Sequence, residues 1–177
     1  MADSPHHLST ATDAELLQSA FRYALSLSHH IEDAEDLAQE AWLNLCKTYG
    51  RVESRAVLFT AVRHLFIDQC RRRKIIHFES LEEPGAPNPP DEQTEEPGIK
   101  GDIKALLATL RPAEREMLFL HYHQGYTAEE IGQLTDQPRN TVLSTIHRAI
   151  AKLRATTATN PLSKIGNRIV LFFVAFL

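Results

Sequence analysis

The chain has 177 residues, 43% of them hydrophobic and 24% charged, with a formal net charge of −4. This excludes a disordered chain and fits one ordinary domain or two small ones. Helix formers dominate, alternating Val/Ile/Thr/Tyr runs are absent and Gly is scarce at 7 residues, so an all-α protein is expected.

The opening Met1–Thr12 is polar and lacks the apolar core of a signal peptide. Three helical blocks follow. The first runs from about Thr12 to His29: Thr12 and Glu15 fit a capping box, and Leu17, Ala20, Phe21, Ala24 and Leu27 form an apolar stripe. The second runs from Glu32 to about Lys47. Glu32, Asp33, Glu35 and Asp36 sit near its start, where the helix dipole favours acids. Its stripe is Ala34, Leu37, Ala38, Ala41 and Leu45, and Gly50 stops it. The third runs from about Ser54 to Ile75, with Leu58, Ala61, Val62, Leu65 and Phe66 inward.

Charge changes sharply at the end of that block. Residues 51–77 carry seven Lys/Arg against Glu53 and Asp68, a local balance of +5. Residues 78–99 carry seven acids and no Lys or Arg, a balance of −7. Net charge alone argues against a nucleic-acid binder, but a polyanion responds to the field within about 10 Å at 0.1 M salt, and locally the chain is strongly basic. Five of the nine prolines (Pro84, Pro87, Pro89, Pro90 and Pro97) fall in the acidic stretch, which is expected to be a disordered linker between two small domains.

Four further helical blocks are predicted at about 102–110, 112–123, 127–135 and 138–155. Pro112 suits a first turn, Gly125 separates two blocks, and Thr127 with Glu130 makes a second capping box. Ile131 and Leu134 face inward, as do Val142, Ile146, Ala149 and Leu153 of the last helix. A short helix, a tight turn at Thr135-Asp136-Gln137 and a longer helix read as a helix-turn-helix, although any two helices with a short turn give that pattern.

Chemistry-bearing patterns are few. Cys46 and Cys70 form no CxxC, so no disulfide framework is expected and a reduced setting is the default. Cys70 adjoins Arg71–Arg73, which can lower a thiol pKa, but an ordinary helix-face Cys fits as well. The nine histidines have no metal-ligand spacing: His29 and His30 are adjacent, and His121 and His123 do not share a helix face. No nucleophile elbow, phosphate loop or paired-carboxylate arrangement supports catalysis, and no cofactor is expected.

Two stretches resemble one family, the small extracytoplasmic-function sigma factors of bacterial RNA polymerase. The first is Asp33-Ala-Glu-Asp-Leu-Ala-Gln-Glu40 with Ala41-Trp-Leu-Asn-Leu45, then Arg55 through Asp68 and Arg71-Arg-Arg-Lys74. It is similar to the family's region two. The second is Leu107 through Glu116, His121 through Ile131, and Pro138 with Thr141, Val142 and Ser144 through Leu153. It is similar to region four, a helix-turn-helix that reads the minus-thirty-five promoter element.

The resemblance implies region two over 8–77, an acidic linker over 78–100, region four over 101–156 and an added apolar tail over 157–177. It implies a core-polymerase contact through Asp33, Glu35, Asp36, Gln39 and Glu40, a mostly acidic set suited to the family's basic partner surface. It places minus-ten contacts on Arg63, His64, Arg71, Arg72, Arg73 and Lys74. An unpaired base also needs a stacking surface; Phe59, His64 and Phe66 are the nearby rings, and spacing assigns Phe66 to the core. It places minus-thirty-five contacts on Arg139, Asn140, Thr141, Ser144, His147, Arg148 and Lys152, types that read base edges or hold phosphates. From 111 to 154 the six Lys/Arg barely outnumber five acids, so this domain should need tethering through polymerase to hold DNA.

The implied partners are RNA polymerase core, promoter DNA and an anti-sigma factor, which in many members is membrane-bound. A cytoplasmic location and no enzymatic activity of its own go with them. Two other readings compete: a helix-turn-helix regulator that binds duplex without polymerase, and a sigma-like interaction protein without initiation activity. The tail Ile169–Leu177 is too short for the about 20 residues that span a bilayer. It is expected to fold onto the second domain, to contact a membrane interface, to serve another partner or to be a poorly ordered end.

Overall fold

The computed structural model describes residues 11–73 and 99–158. Expectations for the polar start, Lys74, the bulk of the acidic Pro-rich segment and the apolar tail fall outside them. The all-α expectation holds. Among the described residues the order is α1 (Asp13–Ser28), α2 (Ile31–Tyr49), α3 (Arg55–Arg73), α4 (Ile99–Ala108), α5 (Pro112–Leu118) continued by a π-helical turn (Phe119–His123), α6 (Ala128–Thr135) and α7 (Arg139–Ala158).

Local signals explain the boundaries. Thr12 and Glu15 close the capping box on α1: the Thr12 N–H donates to Glu15 Oε2 at 2.8 Å and the Glu15 N–H to Thr12 Oγ1 at 3.3 Å. Gly50 ends α2 in the left-handed region at φ 78°, a conformation that costs glycine least. Ser54 accepts the Val57 N–H at 3.3 Å and opens α3. The predicted block 112–123 is not one regular helix. After Leu118 the Gln124 N–H reaches back five residues to Phe119 O at 3.1 Å, which widens the last turn. His121 Nδ1 lies 2.9 Å from Tyr126 O and holds the chain as it leaves that turn.

Helices α1, α2 and α3 pack on one another, and α5 and α6 pack on α7. The inward stripes of α2 (Ala34, Leu37, Ala38, Ala41, Leu45) and α7 (Val142, Ile146, Ala149, Leu153) are buried as predicted. The two groups also meet. Helix α1 packs against α5 and α3 against α6, so one apolar cluster runs through both. No sequence signal announced that contact.

Candidate functional site

Burial of one stripe fixes what α2 shows outside. Glu35, Asp36, Gln39 and Glu40 are exposed and Asp33 is half-buried. Ile31, at 58% exposure, and Leu43, at 54%, lie in the same row at four-residue spacing, Ile31–Glu35–Gln39–Leu43. Glu35, Asp36 and Glu40 make no ion pair with other described residues. An acidic helix face with large apolar side chains in water is the profile of a docking surface, and the sequence reading had named its polar residues but not Ile31 or Leu43.

Helix α3 divides its predicted DNA-binding residues. His64, Arg71 and Arg72 are exposed, and Arg73 ends the helix. Arg71 Nη1 lies 3.7 Å from Asp68 Oδ1 in a solvent-exposed pair that constrains it little. Arg63 is different. It was expected among the minus-ten contacts with Arg71 and Lys74, but it is buried, and its Nε donates to Glu116 Oε1 at 3.1 Å. Of the rings near the expected strand site only His64 reaches solvent; Phe66 is in the core as its spacing predicts, and Phe59 is buried as well.

The helix-turn-helix is built from α6 and α7. Thr127 and Glu130 reciprocate across the start of α6 at 2.8 and 3.3 Å. Asp136 ends it at φ 56°, as its short polar side chain allows. Gly132 makes the turn possible: a Cβ there would stand 2.5 Å from Gln137 O. Helix α7 then presents Arg139, Asn140, Ser144, His147 and Arg148 to solvent, with Thr141 half-buried. Lys152 is committed elsewhere, since its Nζ donates to Glu114 Oε2 at 2.9 Å. Glu114 also receives the Arg111 N–H at 2.9 Å and Arg111 Nη2 at 3.2 Å, which ties the start of α5 to α7. Burial pushes the Glu114 carboxyl up, but these donors and charges outweigh it and leave it below the ordinary carboxylate value.

Comparison with known proteins agrees with this geometry. The models for sigma-70 region 2 and sigma-70 region 4 match residues 14–75 and 100–153. The RNA polymerase sigma-E factor of Streptomyces coelicolor is 31% identical over 131 residues, 69% of this chain and 70% of that one. The chain belongs to the extracytoplasmic-function sigma factors. The ECF RNA polymerase sigma factor SigE of Mycolicibacterium smegmatis is 31% identical over 142 residues, 76% of this chain but only 55% of that protein, so this sigma factor spans about half of that relative. The sigma factor RpoE of Bartonella quintana, solved in complex with the anti-sigma factor NepR, shares the fold with a TM-score of 0.58 at 24% identity, over 79% of this chain and 90% of that one.

In this sigma factor the two regions share a polar and aromatic contact. Glu116 of α5 is fully buried; its Oε1 accepts from Tyr23 Oη of α1 and from Arg63 Nε of α3. Burial pushes the Glu116 carboxyl above its ordinary value despite Arg63 and the Tyr23 hydroxyl, and pushes the Tyr23 hydroxyl well up. Beside them Tyr23 stacks on Phe59 with centroids 4.5 Å apart, and Phe119 packs on both at 5.8 and 6.3 Å. Arg115 reaches the end of α1, donating from Nε to Ser26 O and from Nη2 to Leu27 O, both at 3.0 Å, and from Nη1 to Leu110 O at 2.7 Å. Sequence reasoning missed Tyr23, Arg115, Glu116 and Gly132. The one local hint was that α1 has no basic residue in its last turn. Among the described residues no His/Cys/Asp/Glu group could hold a metal, and no helix is long and apolar enough to cross a membrane.

Proposed function

We propose that this chain binds RNA polymerase core through the outward face of α2 and directs promoter recognition through α3 and α7. The observation that carries the reading is the pairing of two surfaces in one sigma-family chain. One is an acidic helix face with Ile31 and Leu43 in water; the other is a helix-turn-helix whose second helix turns Arg139, Asn140, Ser144, His147 and Arg148 outward. Asp33, Glu35, Asp36, Gln39 and Glu40 supply the polymerase contact. His64, Arg71, Arg72, Arg73 and Lys74 hold the minus-ten strand, joined by Arg63 once it leaves Glu116. Arg139, Asn140, Thr141, Ser144, His147 and Arg148 read the minus-thirty-five element, with Lys152 buttressing the domain instead.

Sigma factors are transcription initiation factors; here the polymerase supplies the catalysis and the cytoplasm is the site of action. An anti-sigma factor is a further partner, supported by the complex seen for the Bartonella quintana protein. Run-off transcription with core polymerase over a panel of promoters tests the reading. Promoter-specific transcripts are expected; no stimulation from any promoter together with no core binding would refute it.

A further inference from the structure

Region four carries few charges, so where each of them sits decides how strongly it can hold a duplex. Along α7, Asn140, Ser144, Arg148 and Lys152 recur at four-residue spacing as one continuous row of exposed residues. Four residues overshoot one helical turn by about 40°, so the row drifts around the helix as it runs. It starts on the outward face, beside Arg139, and ends over α5, where Lys152 meets Glu114.

That meeting is unequal. The Glu114 side chain is 1% exposed and both of its oxygens are taken. Its Oε1 accepts from Arg111 Nη2; its Oε2 accepts from the Arg111 N–H and from Lys152 Nζ. A buried carboxylate depends on such donors, because no water replaces them. If Lys152 left, Oε2 would keep the Arg111 N–H alone, and taking one partner from a buried pair is costly. The Lys152 side chain is 45% exposed, so its ammonium lies at the rim and can turn either way without unfolding α7. On one side is a fixed, water-excluded carboxylate at 2.9 Å. On the other is a DNA phosphate in solvent, whose pull salt screens. The first wins.

We propose that Glu114 is a positioning residue for promoter recognition, acting through Lys152: it withholds that lysine from the DNA backbone and so sets how many phosphates region four grips. This rests on α7 being the duplex-reading helix. Phosphate contacts supply affinity for any sequence, and base contacts supply the discrimination. With Lys152 held on α5, duplex binding by region four leans on the start of α7, where Arg139 and Asn140 are exposed and of the types that read base edges.

The test uses the full chain without polymerase and a fluorescein-labelled duplex of mixed sequence. Affinities are measured between about 50 and 200 mM salt, where the log–log slope rises by about 0.9 for each phosphate contact. Any slope from region two is common to all variants, so their differences report region four. Lys152→Gln, which keeps an amide donor toward Glu114, should leave the slope at the wild-type value. Glu114→Gln, whose neutral amide holds the ammonium less firmly, should steepen it by about 0.9 and tighten binding at least about threefold at low salt. The double variant should return to the wild-type slope. Arg139→Gln should weaken binding and flatten the slope. Unchanged far-UV circular dichroism confirms the fold of each; if Glu114→Gln loses helix, Glu114→Asp replaces it, keeping the charge beside Arg111 but drawing it back from Lys152. Non-additivity is the signature, since a general charge effect would make Lys152→Gln lose as much slope as Glu114→Gln gains. A flatter slope for Lys152→Gln alone shows that Lys152 already touches DNA, and overturns the withholding. So does a Glu114→Gln slope no steeper than wild type while Arg139→Gln loses binding. If Arg139→Gln changes neither affinity nor slope, the assignment of α7 to the duplex falls, and this proposal with it.

Discussion

Helices α2 and α5 are both rich in acids and use them in opposite ways. Glu35, Asp36 and Glu40 of α2 stand in water, while Glu114 and Glu116 of α5 are completely buried. The first set costs nothing to keep charged and remains available to a basic partner. Each member of the second set has lost its water and is held by named donors: Glu114 by Arg111 and Lys152 within region four, Glu116 by Tyr23 and Arg63 across to region two. Residue type and spacing do not separate the two cases. What separates them is whether another element covers the face.

The comparison can be broken first at the covered side. Phe119→Ala removes the ring that packs on Tyr23 and Phe59 and should cost about 3–5 kcal/mol, read as a drop in the urea midpoint. A loss below about 1 kcal/mol would mean that the contact between regions is not packed as described. Gly132→Ala drives a Cβ into the Gln137 carbonyl and should cost about 1–3 kcal/mol. Its damage should localise to the helix-turn-helix, so duplex binding falls while core-polymerase binding stays near the wild-type value. Equal loss of both would show that the turn is not an independent element.

Covered and uncovered faces also account for what could be read from the sequence. The inward residues of α2 and α7 were legible because each helix buries one stripe, and a single stripe has a helical period. Tyr23, Phe59 and Arg63 lie on the buried stripes of α1 and α3, but a stripe reports only that a residue is covered and not which element covers it. What covers Tyr23 and Arg63 is distant in the chain: Glu116 lies 93 residues from Tyr23 and 53 from Arg63. Arg63 therefore read as one more base in a basic helix. Asp136 was legible because its short polar side chain tolerates the left-handed turn it adopts. Gly132 was not, because the demand on it comes from a carbonyl five residues on, brought near only by the turn.

Acid titration should separate the two buried carboxylates by sign. Glu114 has its pKa lowered in the folded chain, so its contribution is full above the ordinary carboxylate value of about 4.3 and is lost as pH falls through the lowered value. Glu116 has its pKa raised, so its contribution is full below the ordinary value and declines as pH rises through the raised one. Urea midpoints of Glu114→Gln should fall below wild type at pH 7 and converge with it in acid. Those of Glu116→Gln should match wild type in acid and equal or exceed it at pH 7. The same sign for both would show that one of them is not held as described.

The smallest stability effect belongs to the uncovered side, and there it is paired with the largest effect on binding. Asp36→Lys with Glu40→Lys exchanges two exposed acids for bases on α2. No described ion pair is broken, and Asp36→Lys puts a base one turn after Glu32, so the midpoint should move by less than about 0.5 kcal/mol. Affinity for core polymerase should fall at least tenfold, with the greater loss at low salt because the contact is exposed and electrostatic. Leu43→Ser on the same row should weaken binding with little change in its salt dependence, since Leu43 contributes apolar area and no charge. If charge reversal left binding intact while Leu43→Ser abolished it, the face would work as an apolar patch and its acids would serve only to keep it soluble.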